Sequence, residues 1–379
     1  MKRIAPIIIS CIGVALSVLN ASAQQKPLAR IEVRNTSSML RENEIVEVKF
    51  SSLEEKIKQV SFKVIEKVSK KEVPYQLEYK GSEKPVNLLI AVGKLQPKQK
   101  MKFEIIPGKA SKIESKTYAR FVPERKDDFA WENDLIAFRM YGKALETASD
   151  NATGTDIWSK RTDKLVLDRW YKGNEYHKDK GEGMDYYHVG ITLGAGDIAP
   201  FYKDSIIFSK NYHHFKILDN GPLRSTFQLG YDSWKVGDME ISATKTISLD
   251  AGSQLNRIEV NYLIKGADQT EVVAGITQRQ QTSPFLLDEK NGIVAYWEPE
   301  VIDKGIMGIG ILTPDSKELM NKNKHFLSRM TIRNNTPLVY YNGGAWNRAG
   351  KITTSDEWFQ YLRNYKFKIE KPLVVTVGN

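Results

Sequence analysis

The sequence predicts an all-β protein, a small N-terminal β-sandwich followed by a larger body of antiparallel sheets stacked face to face. Three observations carry that expectation. Short segments of alternating apolar and polar residues recur between turn signals up to Arg120. Beyond Arg120 the alternating segments lengthen and aromatic residues become denser. Helical periodicity is scarce throughout.

The N-terminus is set apart from the fold. Lys2 and Arg3 form a basic start, Ile4 to Leu19 is a mostly apolar run, and Ala21-Ser22-Ala23 is a small-residue cleavage site. Residues 1–23 therefore read as a secretory signal peptide, too short for a membrane anchor. Apolar sequence runs on well past Cys11, which disfavours the competing lipoprotein reading. The expected location is periplasmic or secreted, with no transmembrane segment. Cys11 is the one cysteine of the chain and leaves with the signal, so disulfides, thiolate catalysis and cysteine-held metals are excluded. Such a protein must rely on a large core.

Residues 24–120 are the expected N-terminal β-sandwich, with strands at Ile31–Val33, Ile45–Phe50, Val60–Ile65, Pro74–Tyr79, Val86–Val92 and Met101–Ile106. Residues 121–379 form the second domain. There Ile241, Ala243, Lys245, Ile247 and Leu249 fall on one strand face, as do Ile258, Val260, Tyr262 and Ile264, and Leu223, Phe227, Leu229 and Tyr231. The best helix candidate is Ser355 to Asn364, with Ser355 as cap and Glu357 following.

The formal net charge is +10, and +8 without Lys2 and Arg3. That balance suits an anionic oligosaccharide or polysaccharide as partner, and equally a lysine-rich solvated surface. No basic helix or nucleic-acid motif appears, so nucleic acid is not expected.

Several stretches combine the residue types that chemistry needs. In "HKDKGEGMDYYHVG", Gly181 and Gly183 permit an irregular turn amid His177, Asp179, Glu182 and Asp185, and a strand is expected over Tyr186–Leu193. His177, His188 and Tyr187 suit proton transfer; alternatively His177, Asp179 and Glu182 suit a cation, and the cofactor stays unknown, with a divalent cation one option. In "FSKNYHHFKIL", a strand would put Lys210, Tyr212, His214 and Lys216 on one face, useful in a groove and meaningless in solvent. Arg139 is placed to fork onto a carboxylate, or to pair with Asp127, Asp128 or Glu132 in a structural network. Gly275, Thr277 and Arg279 share a face that suits close approach of a ligand or another backbone. Trp346 in "NGGAWNRAG" reads as a sugar platform or a core anchor, and Lys245 as a snorkelling or a site lysine. No G-x-S-x-G, H-E-x-x-H, P-loop or GxGxxG occurs.

The phrases "RKDDFAWENDLIAFRMYG", "YHKDKGEGMDYYHVG", "LGAGDIAPF" and "NGGAWNRAG…EW" resemble the exported bacterial family catalogued as domain of unknown function 4861, from about Ile31 to the end. The resemblance implies a galactose-mutarotase-like β-supersandwich for the larger domain, and a setting of uronate-polysaccharide breakdown, such as pectin or ulvan. It implies carbohydrate processing by elimination at a uronic acid and leaves the catalytic residues open.

The residues then supply a kit for that chemistry. Removing the C5 proton of a uronate requires its carboxylate to be neutralised, for which Arg139 and Arg279 are candidates, with Tyr212 and Trp346 also lining a substrate groove. His177, His188, Tyr187 and His214 are candidates for acid and base. The expected activity is a carbon–oxygen lyase or dehydratase acting across C4–C5. A glycoside hydrolase using acids such as Glu182 and Asp185, or a non-catalytic glycan-binding protein, are the alternatives.

Overall fold

A computed structural model describes residues 26–58, 60–173 and 175–378. The expected signal peptide and Cys11 lie outside the described residues. The fold is nearly all-β, with several antiparallel sheets and one long helix near the C-terminus.

The N-terminal unit is a two-sheet sandwich. Glu44–Lys49, Asn87–Val92 and Tyr75–Glu78 form a three-stranded sheet. Its partner orders Val374–Gly378, Ala29–Arg34, Lys100–Pro107 and Phe62–Glu66. The alternation of Ala29, Ile31 and Val33 with charged neighbours fills the space between the sheets, against Val46, Val48, Leu88, Ile90, Phe103 and Ile105. One boundary is corrected here. The chain's last strand leaves the second unit and pairs antiparallel with Ala29–Arg34, and Val375 and Val377 pack on the small core. The same period-two apolar pattern that built the other strands makes this possible.

The larger unit is organised by an eight-stranded sheet, ordered His214–Gly221, Arg224–Val236, Met239–Asp250, Leu255–Lys265, Leu338–Trp346, Met307–Leu312, Ile293–Trp297 and Phe285–Asp288. Two five-stranded sheets cover its inner face. One holds Thr117–Val122, Asp128–Asn133, Ala137–Met140, Asp156–Lys160 and Gly183–Met184; the other holds Ser205–Ile206, Ala195–Tyr202, Gln269–Thr277, His325–Arg333 and Glu318–Lys322. Leu223 aside, the three apolar rows read from the sequence lie in the core between them, Ile247, Ile258 and Phe227 fully buried. Lys245 is inside as well, its Nζ 2.5 Å from Asp197 Oδ1 and over the Tyr231 ring, so it is paired in the core and not snorkelling.

The helix Ser355–Glu370 lies on the outer face of the long sheet. Its cap is Thr354, not Ser355, and forms a full capping box with Glu357. Trp358 and Leu362 reach the sheet at Gly308 and Gly310. A Cβ on Gly308 would meet Trp297 at 2.6 Å, and one on Gly310 would meet Leu362 at 2.6 Å. The two units are joined through polar groups. Gln76 accepts from the backbone of Leu223 and Arg224, while the Arg224 guanidinium bonds Glu47, Glu78 and Asp250.

Two expected strands do not form as drawn. Tyr186–Leu193 runs without regular pairing and turns at Gly190 and Gly194, with φ of 61° and 57°. In Phe208–Leu218 the strand starts only at His214, so the alternation of faces fails before that point.

Candidate active site

The covering sheet built from Asp128–Asn133, Ala137–Met140 and Asp156–Lys160 is buried on both faces. One face gives Phe129, Trp131 and Phe138 to the core. By alternation the other presents Asp128, Arg139 and Asp156, and it is roofed by the short helix Leu167–Gly173 and the stretch that begins at Tyr176. Cross-strand register places Asp156 directly opposite Arg139. The roof closes because Gly183 adopts φ of 119° against the strand, where a Cβ would stand 2.1 Å from Ser159 O.

Arg139 is therefore sealed beneath the roof. Its Nη2 lies 2.6 Å from Asp156 Oδ2 and 3.0 Å from Asp185 Oδ2, and its Nη1 lies 3.6 Å from Asp128 Oδ2. Three carboxyls share one enclosed guanidinium, with Arg125 adding positive charge nearby. Burial is the dominant influence and pushes Asp128 and Asp156 up to about 7, against the pull of Arg139; Asp185 is raised for the same reason. The network assigns Arg139 to structure. Its partners include the expected Asp128, and the rest are Asp156 and Asp185, not Asp127 or Glu132. Glu132 instead holds the buried Lys160 at 2.5 Å. The guanidinium of Arg139 cannot reach a substrate carboxylate.

A second arginine is held differently. Arg279 follows the strand Gln269–Thr277 and lies over the Tyr187 ring, 4.6 Å from its centroid. Its Nε donates to Glu298 at 2.6 Å and its Nη1 donates to the His188 carbonyl at 2.9 Å. Among the described residues no hydrogen bond engages Nη2, and the side chain keeps 22% of its exposure. Burial pushes Glu298 up to about 7, offset in part by Arg279. The Tyr187 hydroxyl is buried with no hydrogen-bond partner among the described residues and its pKa is raised, chiefly by burial, so its ring supports Arg279 while its proton is out of reach.

One segment, Asp185-Tyr186-Tyr187-His188, ties the two arginines together. Asp185 reaches Arg139, while Tyr187 and His188 reach Arg279; four residues of chain span about 10 Å at most. His177 sits at its start. Its Nδ1 lies 3.1 Å from the Asp185 carbonyl oxygen, and that oxygen only accepts, so Nδ1 donates in this contact and, in a neutral ring, Nε2 carries the lone pair. The His177 side chain is 63% exposed. The result is an oriented, largely exposed imidazole at one end of a segment whose other end braces Arg279.

The remaining candidates are placed as follows. The His188 side chain is exposed, and its backbone carbonyl accepts from Arg279. His214 is not part of this group: its Nε2 meets Asp232, which with Glu146 also brackets His213. Tyr212 is a core residue, 2% exposed, whose hydroxyl donates to Asp127 O, so the supposed binding face of Lys210, Tyr212, His214 and Lys216 does not exist. Trp346 is also 2% exposed, with Nε1 donating to Lys304 O and the Arg161 guanidinium over its ring, which makes it an anchor and not a sugar platform. Gly275 admits Leu193 and Leu327, not a ligand. The cation cage is not assembled. Asp179 caps Gly181 and Gly183 and pairs with Arg161, Glu182 pairs bidentately with Arg169, and among the described residues no group of three His, Asp or Glu is arranged to hold a metal. Asp156 and Glu298 were missed in the sequence. The available signal for Glu298 was an acid closing the wholly buried run Ile293–Trp297.

Fold and site together define a nearly all-β sandwich protein with a sealed arginine inside one covering sheet and a presented arginine just past a strand end of the other. The chain belongs to the DUF4861 family, a domain of unknown function, whose model matches residues 33–375. It is 30% identical over 392 residues to uncharacterized protein P7 of Formosa agariphila, covering 96% of this chain and 97% of that protein. It also shares its fold with two solved structures. One is an alpha-mannosidase from Enterococcus faecalis V583, with a TM-score of 0.51, 10% identity, and 93% of this chain and 46% of that one covered. The other is a glycosyl hydrolase family 38 protein from Enterococcus faecalis, with a TM-score of 0.52, 11% identity, and 93% and 47% covered. The chain spans about half the length of each of these structures.

Proposed function

We propose that the protein is a carbohydrate-active enzyme, acting in the periplasm or outside the cell, that eliminates across C4–C5 of a uronic acid in a pectin- or ulvan-like glycan. The observation that carries this reading is the single four-residue segment whose first residue orients His177 and whose last two brace Arg279. His177 Nε2 takes the C5 proton, the C5–H electrons form the C4=C5 bond, and the C4–O bond breaks. His188 gives a proton to the departing oxygen, which leaves as a sugar in a lyase or as water in a dehydratase. Arg279 Nη2 holds the carboxylate as charge builds on it. The fold likeness to parts of a mannosidase and a family 38 glycosyl hydrolase supports a glycan-directed role at the level of fold only.

Incubation with saturated uronate oligosaccharides tests the reading by the ultraviolet absorbance of a conjugated unsaturated uronate. That absorbance should appear with the wild-type protein and fall about 100-fold or more in His177→Gln. A new reducing end without the absorbance would make the protein a hydrolase, and binding without product would make it a glycan-binding protein. Either result overturns elimination.

A further inference from the structure

The positive charge of this protein is not spread over it. Residues 26–120 hold 21 Lys and Arg against 12 Glu and no Asp, a net +9, while residues 121–379 hold 33 against 34, a net −1. This N-terminal stretch, which contains none of the candidate active-site residues, therefore carries the whole excess.

Part of that excess is laid out on one surface. On the outer face of the sheet made by Ala29–Arg34 and Lys100–Pro107, antiparallel register sets Arg30 opposite Glu104, Glu32 opposite Lys102 and Arg34 opposite Lys100. Arg34, Lys100 and Lys102 all turn to Glu32, at 3.1, 3.2 and 3.7 Å. Arg30 and Lys67 turn to Glu104, at 3.6 and 3.9 Å. Five cations thus share two carboxylates, and all five are exposed. A carboxylate divided among three cations leaves each of them with donors to spare. On a strand, alternate residues stand about 6.8 Å apart and neighbouring strands about 4.8 Å apart, which gives a flat grid of positive charge.

We infer that this face is a docking surface for the acidic polysaccharide itself, separate from the cleavage site. The inference rests on the proposed glycan-directed function and extends it: the sandwich would hold the polymer while the larger unit works on it. A repeating anion matches a repeating grid, and release of its counterions drives the association. A membrane surface is a poorer match, because the grid presents guanidinium and ammonium groups, and the exposed apolar side chains at its margin, Val374 opposite Arg34 and Val68 next to Lys67, are isolated valines. Nucleic acid is poorer too, since no aromatic residue stands on the grid to stack a base.

The test measures binding of the full chain to polygalacturonate across a salt series, with a neutral polysaccharide as blank. A triple variant, Arg34→Glu, Lys100→Glu and Lys102→Glu, should weaken polymer binding about 10-fold or more and flatten its salt dependence. A control with equal charge change, Lys56→Glu, Lys84→Glu and Lys94→Glu, should stay within about threefold of wild type. Turnover of a uronate trimer should be unchanged in the triple variant. Lys100→Gln with Lys102→Gln serves as a milder pair whose folding the substitutions do not threaten. Equal weakening in the control reduces the effect to net charge and overturns the docking face, as does unaltered binding in the triple variant. Tighter binding to DNA or to anionic vesicles than to polygalacturonate overturns the polysaccharide assignment. Polymer binding that depends on the grid, in a protein that forms no unsaturated product, would sink the elimination reading and leave the docking face standing.

Discussion

Arg139 and Arg279 are the same residue, offered by the same sequence logic, and the fold gives them opposite tasks. Arg139 lies between two strands of a sheet buried on both sides and faces three carboxyls. Arg279 lies just past a strand end, bonded to one carboxylate and one carbonyl. The first is consumed by the network that keeps its neighbours buried. The second is braced on two sides and open on a third. A strand interior encloses a side chain from every direction, whereas a strand end leaves it an outlet, and that difference in position separates a structural cation from a binding one.

The largest effect should come from breaking the sealed group. Arg139→Met would leave three buried carboxyls without their shared counter-charge, and truncating one side of a buried ionic network typically costs about 3–5 kcal/mol. Denaturant unfolding should show that loss, and a variant within about 1 kcal/mol of wild type would mean that the network is not what holds the roof down. Arg279→Gln should behave in the opposite way. Its stability should change little, while kcat/KM on uronate oligosaccharides falls about 10- to 100-fold, corresponding to about 1.4–2.7 kcal/mol of transition-state binding. If Arg279→Gln unfolds the protein and leaves the catalytic efficiency of what remains intact, the contrast between the two arginines is reversed.

The fold was more legible than the site, for physical reasons. Alternation of apolar residues is a local signal, and the rows through Ile247, Ile258 and Phe227 went where the period-two pattern sent them. The capping box was legible too, displaced by a single residue to Thr354. Partners distant in sequence were not. Asp128, Asp156 and Asp185 reach Arg139 from three different segments, and nothing local marks which acids will converge. The histidine-rich stretch misled because a strand was assumed before His214. Without it Tyr212 turns into the core while His214 stays outside. His177 was legible as a candidate, but its orientation depends on a backbone carbonyl eight residues later, which no residue-type argument supplies.

The sealed group should also respond to pH. Asp128 is raised to about 7 in the fold from an ordinary value near 3.8, mainly by burial. A raised carboxyl binds its proton more tightly in the folded chain than in the unfolded one, so its share of stability falls as pH rises from about 4 through about 7. Asp128→Asn keeps the neutral shape and removes that loss. It should be close to wild type near pH 4, and its advantage should grow by about 2–3 kcal/mol between pH 5 and pH 8, measured by unfolding at both values. Equal stability differences at the two pH values would place the cost of the buried acids elsewhere.

The smallest effect sharpens the open side of the comparison. Glu298 is buried and raised to about 7, and its Oε1 accepts from Arg279 Nε. A substrate carboxylate on Nη2 would therefore share its guanidinium with a second anion, and the two compete. Glu298→Gln retains an oxygen to accept from Nε and removes the competing charge. KM for an anionic oligosaccharide should fall about two- to fivefold above pH 7, where Glu298 is ionised in the wild type, and the advantage should vanish near pH 5, where Glu298 is already neutral. A fall of equal size at both pH values would mean that the substitution acts through packing. A rise in KM would mean that Glu298 positions Arg279 through its charge, and the carboxylate then belongs to the binding apparatus and not to its brace.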